Sequence, residues 1–418
     1  MTIPASLWTA RTARTARTAK DTLCLLTIGL VLALAPARAA AQADEEVAPD
    51  GRVQLGPLAV RPEIGWQMSY DDNVFRSAEQ RETDVISTLR GASEIQGQLR
   101  RIGVSASGSA EWVHFDRLVD ERGANVTADA RLDFSLNRIV PYVGSAYHNT
   151  RQRLNAELDT RPRTERSNVS VGSVFHIGGR SMLDVSARRS VEEYDQDAAA
   201  DGVNLSQALN HASDSFTLAF LQDVAPLTRL TVTGEIQRDR FRGSPSRDAD
   251  NVRLTAGFTS EGLINGRAHA GVRILTPHDP TLPEFRGFFL GLGTTITLAD
   301  RLRIGLDAQR DVAPSYRQLA YYEYYSYGAS FTYAVRDSLR LSGNVGRRLA
   351  DYRATSAVTP DAIQADEDDE LMYGADVSYG VGDSMRIDVG GTYTERTSTS
   401  VSRQFDGLSF KTGVRYAF

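Results

Sequence analysis

Apolar and polar residues alternate with a period of two along most of this chain. Ile64, Trp66, Met68 and Tyr70 are separated by Gly65, Gln67 and Ser69. The last stretch runs Leu408, Phe410, Val414, Tyr416 and Phe418, with Ser409, Lys411, Gly413 and Arg415 between them. A β-strand sends successive side chains to opposite faces, so each stretch predicts a strand with one apolar and one polar face. Between these ends the pattern recurs in pairs. Val169, Val171 and Phe175 lead through Gly178-Gly179 to Leu183 and Val185. Val252, Leu254, Ala256 and Phe258 lead through Asn265-Gly266 to Ala268, Ala270, Val272 and Ile274. Tyr325, Tyr327, Phe331 and Tyr333 lead to Leu339, Leu341 and Val345. The count is about 18 strands, an even number that suits a single-chain barrel.

The connectors alternate too. Short ones include Ala299-Asp300-Arg301, Arg336-Asp337-Ser338 and 380–384. Long ones fall near 71–81, 117–123, 151–163, 195–211, 243–249, 277–284, 313–320, 350–369 and 396–406. Short periplasmic turns with longer extracellular loops are the expected pattern, and it puts both chain ends in the periplasm. The short turns share an Asp, an apolar residue soon after and an Arg, which implies common hairpin chemistry.

The fold expected is all-β: a transmembrane antiparallel up-and-down β-barrel over 61–418. A soluble sandwich shows the same period with its apolar face inward. Strands longer than the usual five or six residues and a secretory signal favour the membrane. A soluble propeller would carry blade motifs and shorter strands. No apolar run after the first forty residues approaches the roughly 18 needed for a spanning helix. That does not argue against a barrel, whose strands are only half apolar.

Residues 1–41 read as a signal peptide: Arg11, Arg14, Arg17 and Lys20, then the apolar stretch Leu23 to Leu34, then small residues with A-x-A spacing at Ala39/Ala41 and Ala41/Ala43. Residues 42–60 read as a flexible periplasmic segment. The single cysteine, Cys24, lies at the start of the apolar stretch, so removal of the signal leaves no thiol for disulfides, catalysis or metal. Residues 1–41 carry five basic side chains and one acidic one, so their loss takes the net charge from −6 to −10. An acidic chain argues against nucleic-acid partners.

The polar faces supply the candidate lumen residues: Arg131, Asp133, Arg253, Arg273, Arg303, Asp307, Arg340, Asp376, Asp388, Lys411 and Arg415. Taken one at a time they are wall residues in wet ion pairs, which contribute little. Taken together they describe a path for polar solutes sorted by charge. In the aromatic run Tyr321, Tyr322, Tyr324, Tyr325 and Tyr327, the odd positions read as an interfacial girdle. Tyr322 and Tyr324 face inward, where flat rings with polar tips could stack on sugars. The acidic run Asp366-Glu367-Asp368-Asp369-Glu370 reads as a solvated outer loop. The alternative is binding of divalent cations shared with lipopolysaccharide, without the spaced ligands of a calcium loop. The six histidines fall in no paired-ligand spacing, and no G-x-S-x-G elbow or nucleotide loop is present. Neither an enzyme nor a cofactor or metal is expected.

A closing strand that ends in Phe418 is similar to the insertion signal of bacterial outer-membrane proteins. That likeness makes Leu408, Phe410, Val414, Tyr416 and Phe418 the membrane-insertion strand, with the barrel-assembly machinery and outer-membrane lipid as partners. Tyr70-Asp71-Asp72-Asn73 resembles the start of the family called putative β-barrel porin 2. The resemblance implies exit of a secreted exopolysaccharide, with a periplasmic polysaccharide-export protein as partner. The residues themselves leave three readings open: a channel for polar material, a general diffusion porin, and a non-transporting structural or adhesive barrel. For a porin with an infolded loop, 195–211 and 350–369 are the expected loops.

Overall fold

The computed structural model describes residues 53–79, 81–153, 157, 159–200, 202–262, 264–315, 321–352 and 367–418. The expected signal peptide, Asp366 and most of loop 350–369 lie outside the described residues.

Eighteen strands carry the fold: β1 Leu58–Asp71, β2 Asp84–Leu99, β3 Ile102–Phe115, β4 Gly123–Phe134, β5 Ile139–Arg151, β6 Arg163–His176, β7 Ser181–Tyr194, β8 His211–Ala225, β9 Thr228–Phe241, β10 Ala249–Ser260, β11 Ile264–Pro277, β12 Phe285–Leu298, β13 Leu302–Pro314, β14 Tyr321–Arg336, β15 Leu339–Asp351, β16 Glu367–Val381, β17 Met385–Ser398 and β18 Phe405–Ala417. Each pairs antiparallel with the next, and β18 pairs with β1 from Ala417↔Glu63 to Ser409↔Asp71, which closes the sheet. Connectors at one end are brief, for instance 100–101, 226–227 and 337–338. Those at the other end are long, for instance 72–83, 152–162 and 195–210. Tight hairpins need left-handed residues, and Ala299 and Asp300 supply them with φ of 50° and 55°.

Register separates the faces. Trp66 sits opposite Leu89 and Val414; Leu254 sits opposite Gly234 and Val272; Tyr373 sits opposite Val345 and Tyr393. Of these, Trp66, Leu89, Leu254, Val272, Tyr373 and Val345 are exposed on the outer wall. The intervening residues point inward, where Phe115, Asn251, Arg273, Phe289 and Arg396 are buried. Charged groups on the outer face lie toward the strand ends. There Arg310 stacks on Phe288 at 4.0 Å and Arg347 pairs with Asp369 at 2.6 Å while donating to the Tyr327 hydroxyl.

Two expectations are corrected by these elements. The segment before residue 61 is partly sheet: Val53–Leu55 turns at Gly56, whose φ of +61° suits glycine, and pairs with Leu58–Val60. Its alternating Val53, Leu55, Leu58 and Val60 already carry the strand pattern. The acidic run is not a solvated loop, since Glu367 onward opens β16. Strand alternation sends Asp368 and Glu370 inward and Asp369 outward, each toward an arginine.

The two faces predict unequal tolerance. Leu254→Arg, at the middle of the outer belt, should destabilise the barrel in lipid by about 2–4 kcal/mol. The neighbouring inward Thr255→Arg should cost under about 1 kcal/mol, because the lumen face is solvated. Urea unfolding in liposomes measures both, and equal costs would contradict the assignment of faces.

Candidate functional site

The candidate lumen residues lie on the strand face opposite the exposed apolar side chains, in separate groups around the wall. On β4, Arg131 pairs with Asp133 at 2.7 Å and lies over the Tyr142 ring at 3.8 Å, and the Tyr142 hydroxyl donates to Asp184. Near the β17–β18 seam, Lys411 pairs with Asp376 at 2.9 Å and Arg415 with Asp388 at 3.0 Å; Asp388 also accepts from Ser378. On β10, β11 and β13, Arg253 and Arg273 share the Asp311 carboxylate at 3.1 and 3.2 Å. Arg303 and Asp307 share the inner face of β13, and Arg340 lies on that of β15. Tyr322 and Tyr324 line β14, and both take part in contacts with Arg348, described below. Tyr325 and Tyr327 are exposed on the outer wall, whereas Tyr321 is buried edge-on against Phe285.

Glu157 and Asp159, in the connector between β5 and β6, lie across the long-connector mouth. An 18-strand barrel measures about 35 Å across its backbone, from strands roughly 4.8 Å apart tilted by about 40°. This connector leaves β5 and returns to β6, yet its side chains reach the far wall. Arg396 on β17 pairs with Asp159, which Arg153 also holds. Arg403, between β17 and β18, donates to the Glu157 carbonyl at 3.0 Å. The Glu157 carboxylate accepts from Ser315, just after β13. Arg161 holds the returning limb through Glu121 and lies over the Phe115 ring at 5.3 Å. Half of an eleven-residue connector spans at most about 20 Å, and the long guanidinium arms of the opposite wall cover the rest. Among the described residues the infolded ones are therefore Glu157 and Asp159. Loop 195–210 instead packs its short helix Leu205–Leu209 against Tyr194 on its own strand.

The far anchor is buried. Asp368 and Arg403 form an ion pair completed by the Tyr352 hydroxyl, and the Tyr352 ring packs at a tilt against Tyr322, centroids 4.9 Å apart. Burial pushes the Tyr352 phenol far above its ordinary range, so it stays protonated as a donor. Burial works against the Arg403 cation, but its hydrogen bond to Asp368 outweighs this and holds the guanidinium charged. Phe405 lies beneath the guanidiniums of Arg396, Arg76 and Arg153 at 4.7, 5.2 and 5.9 Å. Removing one partner of a buried ion pair strands the other, which is why such anchors break at high cost.

Sequence reading overlooked Asp311 and Arg348, although each continues the spacing of two from residues it did pick, Asp307 and Arg340. It also overlooked Arg153, Glu157, Asp159 and Arg403, which no periodicity marks. Among the described residues no group of His, Cys, Asp and Glu is arranged to hold a metal ion.

The profile of the family described as putative beta-barrel porin 2 matches residues 48–418. No curated protein matches the chain in sequence. Among solved structures, OccK2 (OpdF) of Pseudomonas aeruginosa is similar at a TM-score of 0.52 with 8% identity, covering 86% of this chain and 98% of that one. OpdK of Pseudomonas aeruginosa, solved with vanillate, is similar at 0.50 with 12% identity and the same coverages. At such identities the likeness is one of fold.

The tether predicts a paired effect. Arg396→Ala combined with Arg403→Ala should lower stability by about 3–5 kcal/mol, the usual loss when buried pairs are broken, and should raise single-channel conductance by freeing the crossing segment. An unchanged conductance in a folded variant would show that Glu157 and Asp159 do not narrow the path.

Proposed function

The chain belongs to the putative beta-barrel porin 2 family, and we propose that this porin-like outer-membrane barrel is a diffusion channel for small polar solutes. The observation that carries the reading is the mouth. A continuous polar lumen, lined by Arg131, Asp133, Arg253, Asp376 and Lys411 among others, is narrowed where Glu157 and Asp159 are fastened to the opposite wall. A charged, hydroxyl-rich wall replaces part of a solute's hydration, and a fastened constriction limits its size. Neither feature calls for catalysis.

Exit of a secreted exopolysaccharide, which the family resemblance suggested, fits this mouth less well. A polymer chain needs an unobstructed passage, and the tether rests on buried groups that do not part cheaply. In this reading outer-membrane lipid and lipopolysaccharide surround the outer wall, with the charged pairs of Arg310 and Arg347 near its long-connector rim. The barrel-assembly machinery is the partner this reading calls for in insertion.

Proteoliposomes containing the barrel should swell in isotonic glucose and not in dextran, and planar bilayers should show steady single-channel steps. Swelling in dextran would restore the polymer-exit reading. Absence of both swelling and conductance would leave a structural or adhesive barrel.

A further inference from the structure

We propose that the lumen holds a carboxylate-binding subsite made by Arg253, Arg273 and Arg348. It deepens the diffusion-channel reading and rests on it for its biological role. Arg253 on β10 and Arg273 on β11 are directly opposed in the ladder, and both reach Asp311 on β13. Asp311 is opposed to Tyr324, and the guanidinium of Arg348 lies over the Tyr324 ring at 4.8 Å. The three cations thus gather on one side of the lumen around Asp311 and Tyr324.

Arg253 and Arg348 have incomplete partners, whereas the buried Arg273 also donates to the Asn251 side-chain oxygen and the Val312 carbonyl. Among the described residues, Asp311 is the carboxylate within ion-pair distance of Arg253 and of Arg273, and Arg348 has none. Arg348 instead donates to the Tyr322 hydroxyl at 3.1 Å. The Nε–H groups of Arg253 and Arg348 are shielded from solvent and meet no acceptor. The Arg253 and Arg348 side chains are nevertheless partly exposed to the lumen, so a carboxylate arriving there meets the accessible parts of their guanidinium groups. Guanidinium forks match carboxylate oxygens in shape, and charge-assisted bonds are about twice as strong as neutral ones. The other acids facing this side do not fill the role. Glu235 is opposed to Arg253 but makes no contact with its guanidinium, and Asp239 accepts from Ser213 and Gln237. Glu157 is taken by Ser315. The Tyr322 and Tyr324 rings beside the cations offer flat faces. The ligand class is therefore a small solute with an exposed carboxylate, such as a sugar acid, preferred over its neutral counterpart.

Glucuronate and glucose, which differ by the carboxylate, discriminate. Ligand-observed NMR on the folded barrel in detergent micelles should detect glucuronate binding that weakens as salt is raised, and little binding of glucose. Arg253→Gln with Arg348→Gln should weaken glucuronate by about tenfold or more, while Arg286→Gln on the outer rim should leave it unchanged. If the double variant misfolds, Arg348→Gln alone is the test, since it removes one hydrogen bond of the folded barrel. Equal binding of glucose, survival of glucuronate binding in a folded variant, or equal weakening by Arg286→Gln would overturn the subsite. Binding in micelles does not require passage. A barrel that binds glucuronate through these arginines yet conducts nothing would keep the subsite and defeat the diffusion channel. A conducting barrel without glucuronate binding would do the reverse.

Discussion

A backbone amide or carbonyl in hydrocarbon has no water to turn to, so a sheet that crosses a membrane must meet its own first strand. In this chain the seam is the pairing of β1 with β18, where Ile64 opposes Tyr416, Trp66 opposes Val414 and Tyr70 opposes Phe410. The rest of the chain follows from that closure. An antiparallel meander closes on itself when its strand number is even, so the ends emerge together beside the short turns. With one face on lipid and the other on water, the period of two becomes a division of chemistry. Leucine, valine and aromatic side chains stand outside, arginines and carboxylates inside, and outer charges are confined to strand ends.

Closure at this width creates a second problem, because eighteen strands enclose more space than their own side chains fill. The crossing segment answers it with ion pairs instead of an apolar plug. Burying Arg403 and Asp368 costs desolvation that their attraction barely repays. The gain lies in placement. A carboxylate–guanidinium pair completed by Tyr352 accepts one geometry, so the segment is fixed at one depth across the mouth. An apolar contact of similar strength would tolerate sliding, and the width of the path would vary with it.

Strands could be read from the sequence because burial on one side only forces a strict alternation, which a single chain displays without homologues. That signal gave the inward direction of Arg253, Asp376 and Lys411 as well, since direction is parity. It extended to Asp311 and Arg348, which share the parity of Asp307 and Arg340. The tether was not legible. Glu157 and Arg403 lie in connectors, where no period exists, and their meeting depends on two loops separated by 246 residues converging over the lumen. The acidic run misled for a related reason. Five consecutive acids look solvated, yet strand alternation sends Asp368 and Asp369 to opposite faces, each to its own arginine.

The net charge of the chain, −6 over its full length, says little about the field a solute meets. Most charges on the inner wall are neutralised beside themselves: Arg131 by Asp133, Lys411 by Asp376, Arg415 by Asp388. Such wet pairs add little stability, but they flatten the potential along the wall. Selectivity then depends on where pairing stops. Across β10 to β15 Arg253 and Arg273 share one carboxylate and Arg348 has none among the described residues, and two donors of this group face no acceptor. A low-dielectric wall focuses the field of such an excess into the lumen. An acidic chain can in this way present a locally cationic passage, and the sign that matters is set by a handful of cross-strand contacts.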